Sequence, residues 1–229
     1  MKKADSRTHA TPVAAAPAVP LHGLYAITPE DYLLPRLSAL VGAALAGGVK
    51  IVQYRSKSAP APLRRALAGE MMRQCRAHGA LLIVNDDLPL ALELGADGVH
   101  LGRDDYGDDI AAARAALGPD KILGVSCYAD LKRAEAAAAA GASYLAFGSM
   151  YASKTKPEAP PAPLALLGEA RQFGLPVAAI GGITLANAAQ TIEAGADMLA
   201  VVTSLFDAMD IAARARAFRE IIESQSRTP

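Results

Sequence analysis

The chain of 229 residues has no tryptophan, only four phenylalanines and only two cysteines. Cys75 and Cys127 stand alone, with no CxxC pair and no histidine at ligand spacing, which excludes a disulfide framework and a zinc site and points to the cytoplasm. Net charge is lacking too. Because 23 Lys and Arg balance 23 Asp and Glu, the chain has no sequence-independent grip on nucleic acid, and any ligand selectivity must be local. Long apolar runs are missing, since glycine, proline or a charge interrupts each one well short of the roughly 20 residues that span a bilayer. No membrane partner is expected. Residues 1–20 are rich in Ala, Pro and Thr but have no unbroken apolar centre of the kind a signal peptide carries, so they read as a disordered tail ahead of one domain over 21–229.

What is present is a repeat: a helix that ends in glycine, a short gap, then an apolar strand. The helix-ending glycines are Gly47 or Gly48, Gly79, Gly95, Gly118, Gly141, Gly174 and Gly195. Strands are expected at 24–27, 50–53, 81–84, 98–101, 122–125, 144–147, 177–180 and 198–202. Between them, helix-like segments carry one apolar face, as at Leu63, Leu67, Met71 and Cys75, or Leu37, Leu40, Val41 and Ala44. Strands that are apolar on nearly every residue are buried on both faces, which indicates a parallel sheet covered by helices. Eight such units close most naturally into a single-domain α/β fold, the (β/α)8 TIM barrel. The competing fold is an open doubly wound sheet. It would call for a glycine-rich fingerprint after the first strand, where Thr28-Pro29-Glu30 stands instead.

Catalytic groups in such a barrel come from the C-terminal strand ends, and polar residues do collect there. The second strand runs into Gln53-Tyr54-Arg55-Ser56-Lys57, the third into Asn85-Asp86-Asp87, the fourth into Arg103-Asp104-Asp105 and the fifth into Ser126-Cys127-Tyr128. A longer loop with Ser153, Lys154, Thr155 and Lys156 follows the sixth. Asp86 with either Asp104 or Asp105 offers two hard carboxylates at one sheet edge, as a magnesium ion bridging to a phosphate requires. Arg55, Lys57 and Lys156 would face them as anion-binding cations, and Gln53 and Asn85 would orient a ligand. Gly181-Gly182 with Thr203-Ser204 reads as a phosphate cradle, although tight strand-end packing alone would also call for the two glycines. His100, within a strand, reads as a packed and hydrogen-bonded residue, Cys127 as a small apolar filler, and Asp108 and Asp109 as helix caps.

Taken in order, VQYRSK at 52–57, VNDD at 84–87, GVHLGRDD at 98–105, GVSCY at 124–128, FGSMYASKTKP at 147–157, IGGIT at 180–184 and VVTS at 201–204 resemble the thiamine phosphate synthase family. The resemblance spans about residues 21–225. It implies a (β/α)8 enzyme that joins a hydroxymethylpyrimidine diphosphate to a thiazole phosphate and releases pyrophosphate. It further implies that Gln53, Arg55 and Lys57 hold the pyrimidine diphosphate with help from Asn85, Ser126 and Lys156, and that Asp86 and Asp105 bind magnesium. Ser153, Thr155, Gly182, Val202 and Thr203 would hold the thiazole phosphate, with Tyr54, Ser56 and Lys154 counted among the substrate-binding residues. Arg55, Lys57, Ser126 and Lys156 would carry the chemistry. Two positions depart from the family pattern: Ser56, where Glu is common, and Arg103, where Gln is common. A related barrel family isomerises the thiazole ring and resembles this one, but its members place a histidine after the fifth strand, where this chain has Ser126-Cys127-Tyr128. A non-catalytic sensor of a phosphate ligand would have no use for both anion sites.

Overall fold

Eight parallel strands follow one another around a closed barrel in chain order. They are β1 (Gly23–Ile27), β2 (Ile51–Tyr54), β3 (Leu81–Asn85), β4 (Gly98–Leu101), β5 (Ile122–Tyr128), β6 (Tyr144–Phe147), β7 (Val177–Ile180) and β8 (Met198–Val201). The seam closes where β1 pairs with β8, Gly23 opposite Met198 and Ala26 opposite Val201. The structure is a computed structural model and describes residues 20–103, 109–152 and 162–225. The tail at 1–19, Asp104, Asp105 and Asp108, and the run Ser153, Lys154, Thr155 and Lys156 lie outside the described residues.

The helices are α1 (Leu34–Ala46), α2 (Ala61–Ala77), α3 (Leu88–Leu94), α4 (Ile110–Leu117), α5 (Leu131–Ala139), α6 (Ala165–Ala170), α7 (Leu185–Glu193), α8 (Thr203–Phe206) and α9 (Ile211–Gln225). Successive strand residues point to opposite faces, so the barrel makes two cores. Inside lie Tyr25, Ile27, Ile51, Ile83, Tyr144 and Met198 among others, while Val52, Leu82, Val99 and Leu123 pack outward against the helices. Leu67, Met71 and Cys75 of α2 and Leu37, Val41 and Ala44 of α1 are buried there, which is the face the sequence pattern assigned. Cys127 is a filler of the same layer, and burial pushes its thiol up to about 12.

Helix ends follow their capping residues. Asp87, Asp109 and Asp130 each accept a hydrogen bond from the first turn of α3, α4 and α5. The choice between Gly47 and Gly48 resolves into two jobs. Gly48 takes φ 96°, which turns the chain from α1 toward β2. Gly47 keeps an ordinary helical φ of −76°, but a Cβ there would sit 2.6 Å from both Ala212 O and Ala215 Cβ, so it lets α9 lie directly on α1.

Candidate active site

Strand register gathers the polar strand ends at one mouth. Along β2 the inward positions are Ile51, Gln53 and then Arg55, and pairing of Tyr54 with Val84 sets Arg55 beside Asn85. Thr28 fixes that end of β2: its Oγ1 accepts from Arg55 N at 3.0 Å, and its N–H donates to Gln53 O at 2.9 Å. The Arg55 guanidinium, half-buried, makes no hydrogen bond or ion pair among the described residues. Tyr54 stands on the opposite face. It is 2 % exposed and packs in the layer between barrel and helices, so the structure moves it out of the mouth to which the sequence reading assigned it.

Past β2 the chain is tied to the β1 loop by one carboxylate. Glu30 accepts from Lys57 N at 3.1 Å, Ser58 N at 3.2 Å and Ser56 Oγ at 3.0 Å, and from the Tyr32 hydroxyl at 3.2 Å. Partial burial raises its pKa, but these hydrogen bonds to the charged form outweigh burial and leave the pKa below the ordinary carboxylate value. Sequence reasoning met Glu30 only as a residue that was not glycine. Nothing in the sequence showed that it shapes the segment carrying Ser56 and Lys57.

Asp86 lies just past β3, where its N–H still donates to His100 O at 2.9 Å. Its φ of 62° is a left-handed conformation uncommon for a residue with a side chain, and such strain collects at functional positions. The Oδ2 atom accepts from both Lys57 Nζ and Asn85 Nδ2. Asp87, next in sequence, turns away to cap α3 and pairs with Arg64 at 3.1 Å. Among the described residues, no three His, Cys, Asp or Glu side chains come together to hold a metal. Asp86 is the one described member of the expected metal pair.

At β5, Ser126 points inward and its Oγ lies 2.9 Å from His100 Nε2. Its carbonyl accepts from Arg133 Nε at 2.7 Å, a bond made by an arginine only 8 % exposed. The strand bulges between Ser126 and Tyr128, and Tyr128 takes φ 57°. Its ring has two guanidinium groups near it, Arg103 at 5.2 Å from the centroid and Arg133 at 6.0 Å. Arg103, one of the two departures, is thereby placed on an aromatic face.

Beyond β7 and β8 the backbone itself is the feature. Gly181 and Gly182 take φ 99° and 66°, and a Cβ on them would lie 2.2 Å from Ser149 Oγ and 2.6 Å from Ala152 O. Close packing against the loop after β6 therefore accounts for the glycines as side-chain-free positions. The same turn leaves the N–H groups of Gly181, Gly182 and Ile183 with no hydrogen-bond partner among the described residues. Across from them, inward-facing Val202 precedes Thr203, the first residue of α8, and Ser204 Oγ is buried without a partner among the described residues. Unsatisfied donors on both strand ends can bind an anion.

The chain has relatives among known proteins. The model of a family described as thiamine monophosphate synthase matches residues 24–205. A thiamine-phosphate synthase of Chromobacterium violaceum is 56 % identical over 197 residues, covering 86 % of this chain and 94 % of that one. One from Thiobacillus denitrificans is 58 % identical over 190 residues, covering 82 % and 89 %. Among solved structures, thiamine phosphate pyrophosphorylase from Pyrococcus furiosus superposes with a TM-score of 0.79 at 33 % identity, covering 89 % of this chain and 96 % of that one.

Proposed function

The chain belongs to the thiamine monophosphate synthase family, and from that premise we propose how its barrel mouth makes thiamine phosphate. It is a transferase acting on small molecules. Its substrates would be a 4-amino-2-methylpyrimidine carrying a diphosphooxymethyl group and a thiazole phosphate, and its products thiamine phosphate and pyrophosphate. The observation that carries this reading is the Arg55 guanidinium, without a partner among the described residues and set at the mouth within the same strand end as the Lys57–Asp86 pair. A half-buried cation with no partner among the described residues is suited to an anionic ligand.

Arg55 and Lys57 would grip the diphosphate, with Lys156 from the loop after β6 closing on it. Gln53, Asn85 and Ser126 would orient the pyrimidine ring. The hard carboxylate of Asp86, already held between an ammonium and an amide, has the donor chemistry of a magnesium site, and Asp86 with Asp105 would hold the ion. Magnesium bound there would neutralise charge on the leaving diphosphate. As the C–O bond breaks, its electron pair stays with pyrophosphate, and the aminopyrimidine carries the cation at its exocyclic methylene. The thiazole nitrogen then donates its lone pair to that carbon. Ser153, Thr155, Gly182, Val202 and Thr203 would hold the thiazole phosphate, the last three partly through backbone groups. The loop after β6 would exclude water from the cation. Among the described residues, no helix is long and apolar enough to cross a membrane, in keeping with soluble substrates in the cytoplasm.

The test is a coupled assay of thiamine phosphate formation and pyrophosphate release, with and without magnesium. Asp86→Ala and Lys156→Ala should each lower turnover by about a hundredfold or more while the thermal midpoint holds. Equal activity in wild type and both variants would remove the assignment.

A further inference from the structure

Beneath the mouth, five polar side chains from five strands are strung together through the barrel interior. Gln53 Nε2 donates to Tyr25 Oη at 2.7 Å, and Tyr25 Oη meets Tyr144 Oη at 2.8 Å. Tyr144 Oη meets His100 Nδ1 at 2.8 Å, and His100 Nε2 meets Ser126 Oγ at 2.9 Å. The fold makes room for the chain, because a Cβ on Gly124 would lie 2.2 Å from Tyr144 Oη. The rings hold one another, with Tyr25 edge-on to Tyr144 and His100 stacked on it at 20°. Burial keeps both phenols protonated by raising them well above the ordinary tyrosine value.

Counting protons gives the chain a direction. Each phenol has one to donate, and a neutral imidazole has one N–H. Because Gln53 gives its amide N–H to Tyr25, Tyr25 must donate to Tyr144, Tyr144 to Nδ1, and the imidazole must carry its proton on Nε2 toward Ser126. The Ser126 proton is then left for the mouth. At the other end Gln53 Oε1, which has no hydrogen-bond partner among the described residues, is left as an acceptor. Reversing the Gln53 amide reverses every bond and swaps the two ends together. With the amide as it stands, an imidazolium would leave the Tyr25 proton without an acceptor at a position 1 % exposed; the reversed amide, whose Oε1 accepts from Tyr25, is the arrangement that suits a doubly protonated ring.

We propose that this chain is a polarity relay in which Tyr25, Tyr144 and His100 are positioning residues that couple Gln53 to Ser126. The mouth thereby offers an acceptor on β2 and a donor on β5 as one unit. With the Gln53 amide in the orientation the structure has, the ring that fits carries an exocyclic amino group to donate and a ring nitrogen to accept, and an oxo ring with an N–H fits only the reversed chain. This deepens the reading of the mouth as the pyrimidine site and rests on it.

Histidine labelled with 15N reports the tautomer of His100 directly, in the full chain without ligand. Wild type should show the Nε2–H form. Gln53→Glu, once its carboxylate is ionised at alkaline pH, can only accept, so it should move the proton to Nδ1. Adding Tyr144→Phe cuts the chain, so the double variant should match Tyr144→Phe alone. The same tautomer in wild type and Gln53→Glu, up to the alkaline limit of the folded protein, overturns the relay. Calorimetry with the unphosphorylated aminopyrimidine alcohol and its oxo counterpart gives the second readout. Wild type should prefer the amino ring by at least about tenfold, and Tyr144→Phe, with the fold intact by circular dichroism, should lose most of that preference. An unchanged preference in Tyr144→Phe also overturns the proposal. Failure of wild type to make thiamine phosphate would instead remove the functional reading alone, because the tautomer response needs no substrate.

Discussion

Glu30 shows how one carboxylate can organise a segment that no motif marks. Its hydrogen bonds to Lys57 N, Ser58 N and Ser56 Oγ stabilise the charged form, so its folded value lies below the unfolded one, about 4.3. For a lowered carboxylate the stabilisation is fully present above the unfolded value and is lost as pH falls through the folded value. The amide resonances of Lys57 and Ser58 should therefore titrate together, with a midpoint below that of an ordinary glutamate. Glu30→Gln should abolish that titration and raise the KM for the diphosphate substrate several-fold, since Lys57 loses its anchored backbone. His100 illustrates the converse limit of the sequence. Its reading as a packed, hydrogen-bonded residue agrees with its bonds to Tyr144 and Ser126. That one partner belongs to the mouth was invisible, because sequence shows which strand a residue is on but not which inward neighbours it meets across the barrel.

Strands and helices were the most legible level. Helix-ending glycines and runs of buried apolar residues are local signals, and β4, β6 and β7 fall where 98–101, 144–147 and 177–180 were expected. The largest difference is β5, which continues through Ser126 and Cys127 to Tyr128 where 122–125 was expected. Its extension depends on the bulge against β6 and on Arg133 holding Ser126 O, both of them tertiary contacts. Gly124 in the same strand carries no turn and no positive φ. Its role is space, since the Tyr144 ring occupies the place of a side chain there. Gly124→Ala should destabilise the fold by about 1–3 kcal/mol through overpacking, read from denaturant midpoints at constant slope. It should also weaken pyrimidine binding, because Tyr144 must shift to make room.

On the scale of the whole molecule, closure matters more than any one unit, since a closed sheet leaves no unpaired strand edge. The last helix, α9, secures the seam, lying on β1 and on α1 and α7 with Phe218, Ala215 and Ile222 buried beneath it. Phe218→Ala should cost about 3–5 kcal/mol, measured by calorimetric unfolding, although the residue is remote from the mouth. The eight-unit repeat announced this architecture because every unit faces the same burial problem. The candidate anion-binding residues lie in contiguous strand-end motifs such as VQYRSK and VNDD and could be picked out there, whereas the interior tyrosines come from β1 and β6 and meet only on closure.

Those two tyrosines have a consequence for optics. With no tryptophan to capture their excitation energy, the seven tyrosines are the protein's only strong near-ultraviolet emitters. Tyr25 and Tyr144 are hydrogen-bonded to each other directly beneath the mouth, so a ring entering above them changes the surroundings of two phenols that hardly ionise while the barrel holds. The absence with which the sequence opens thus leaves the barrel interior with a built-in chromophore, one able to signal occupancy of the mouth without any label.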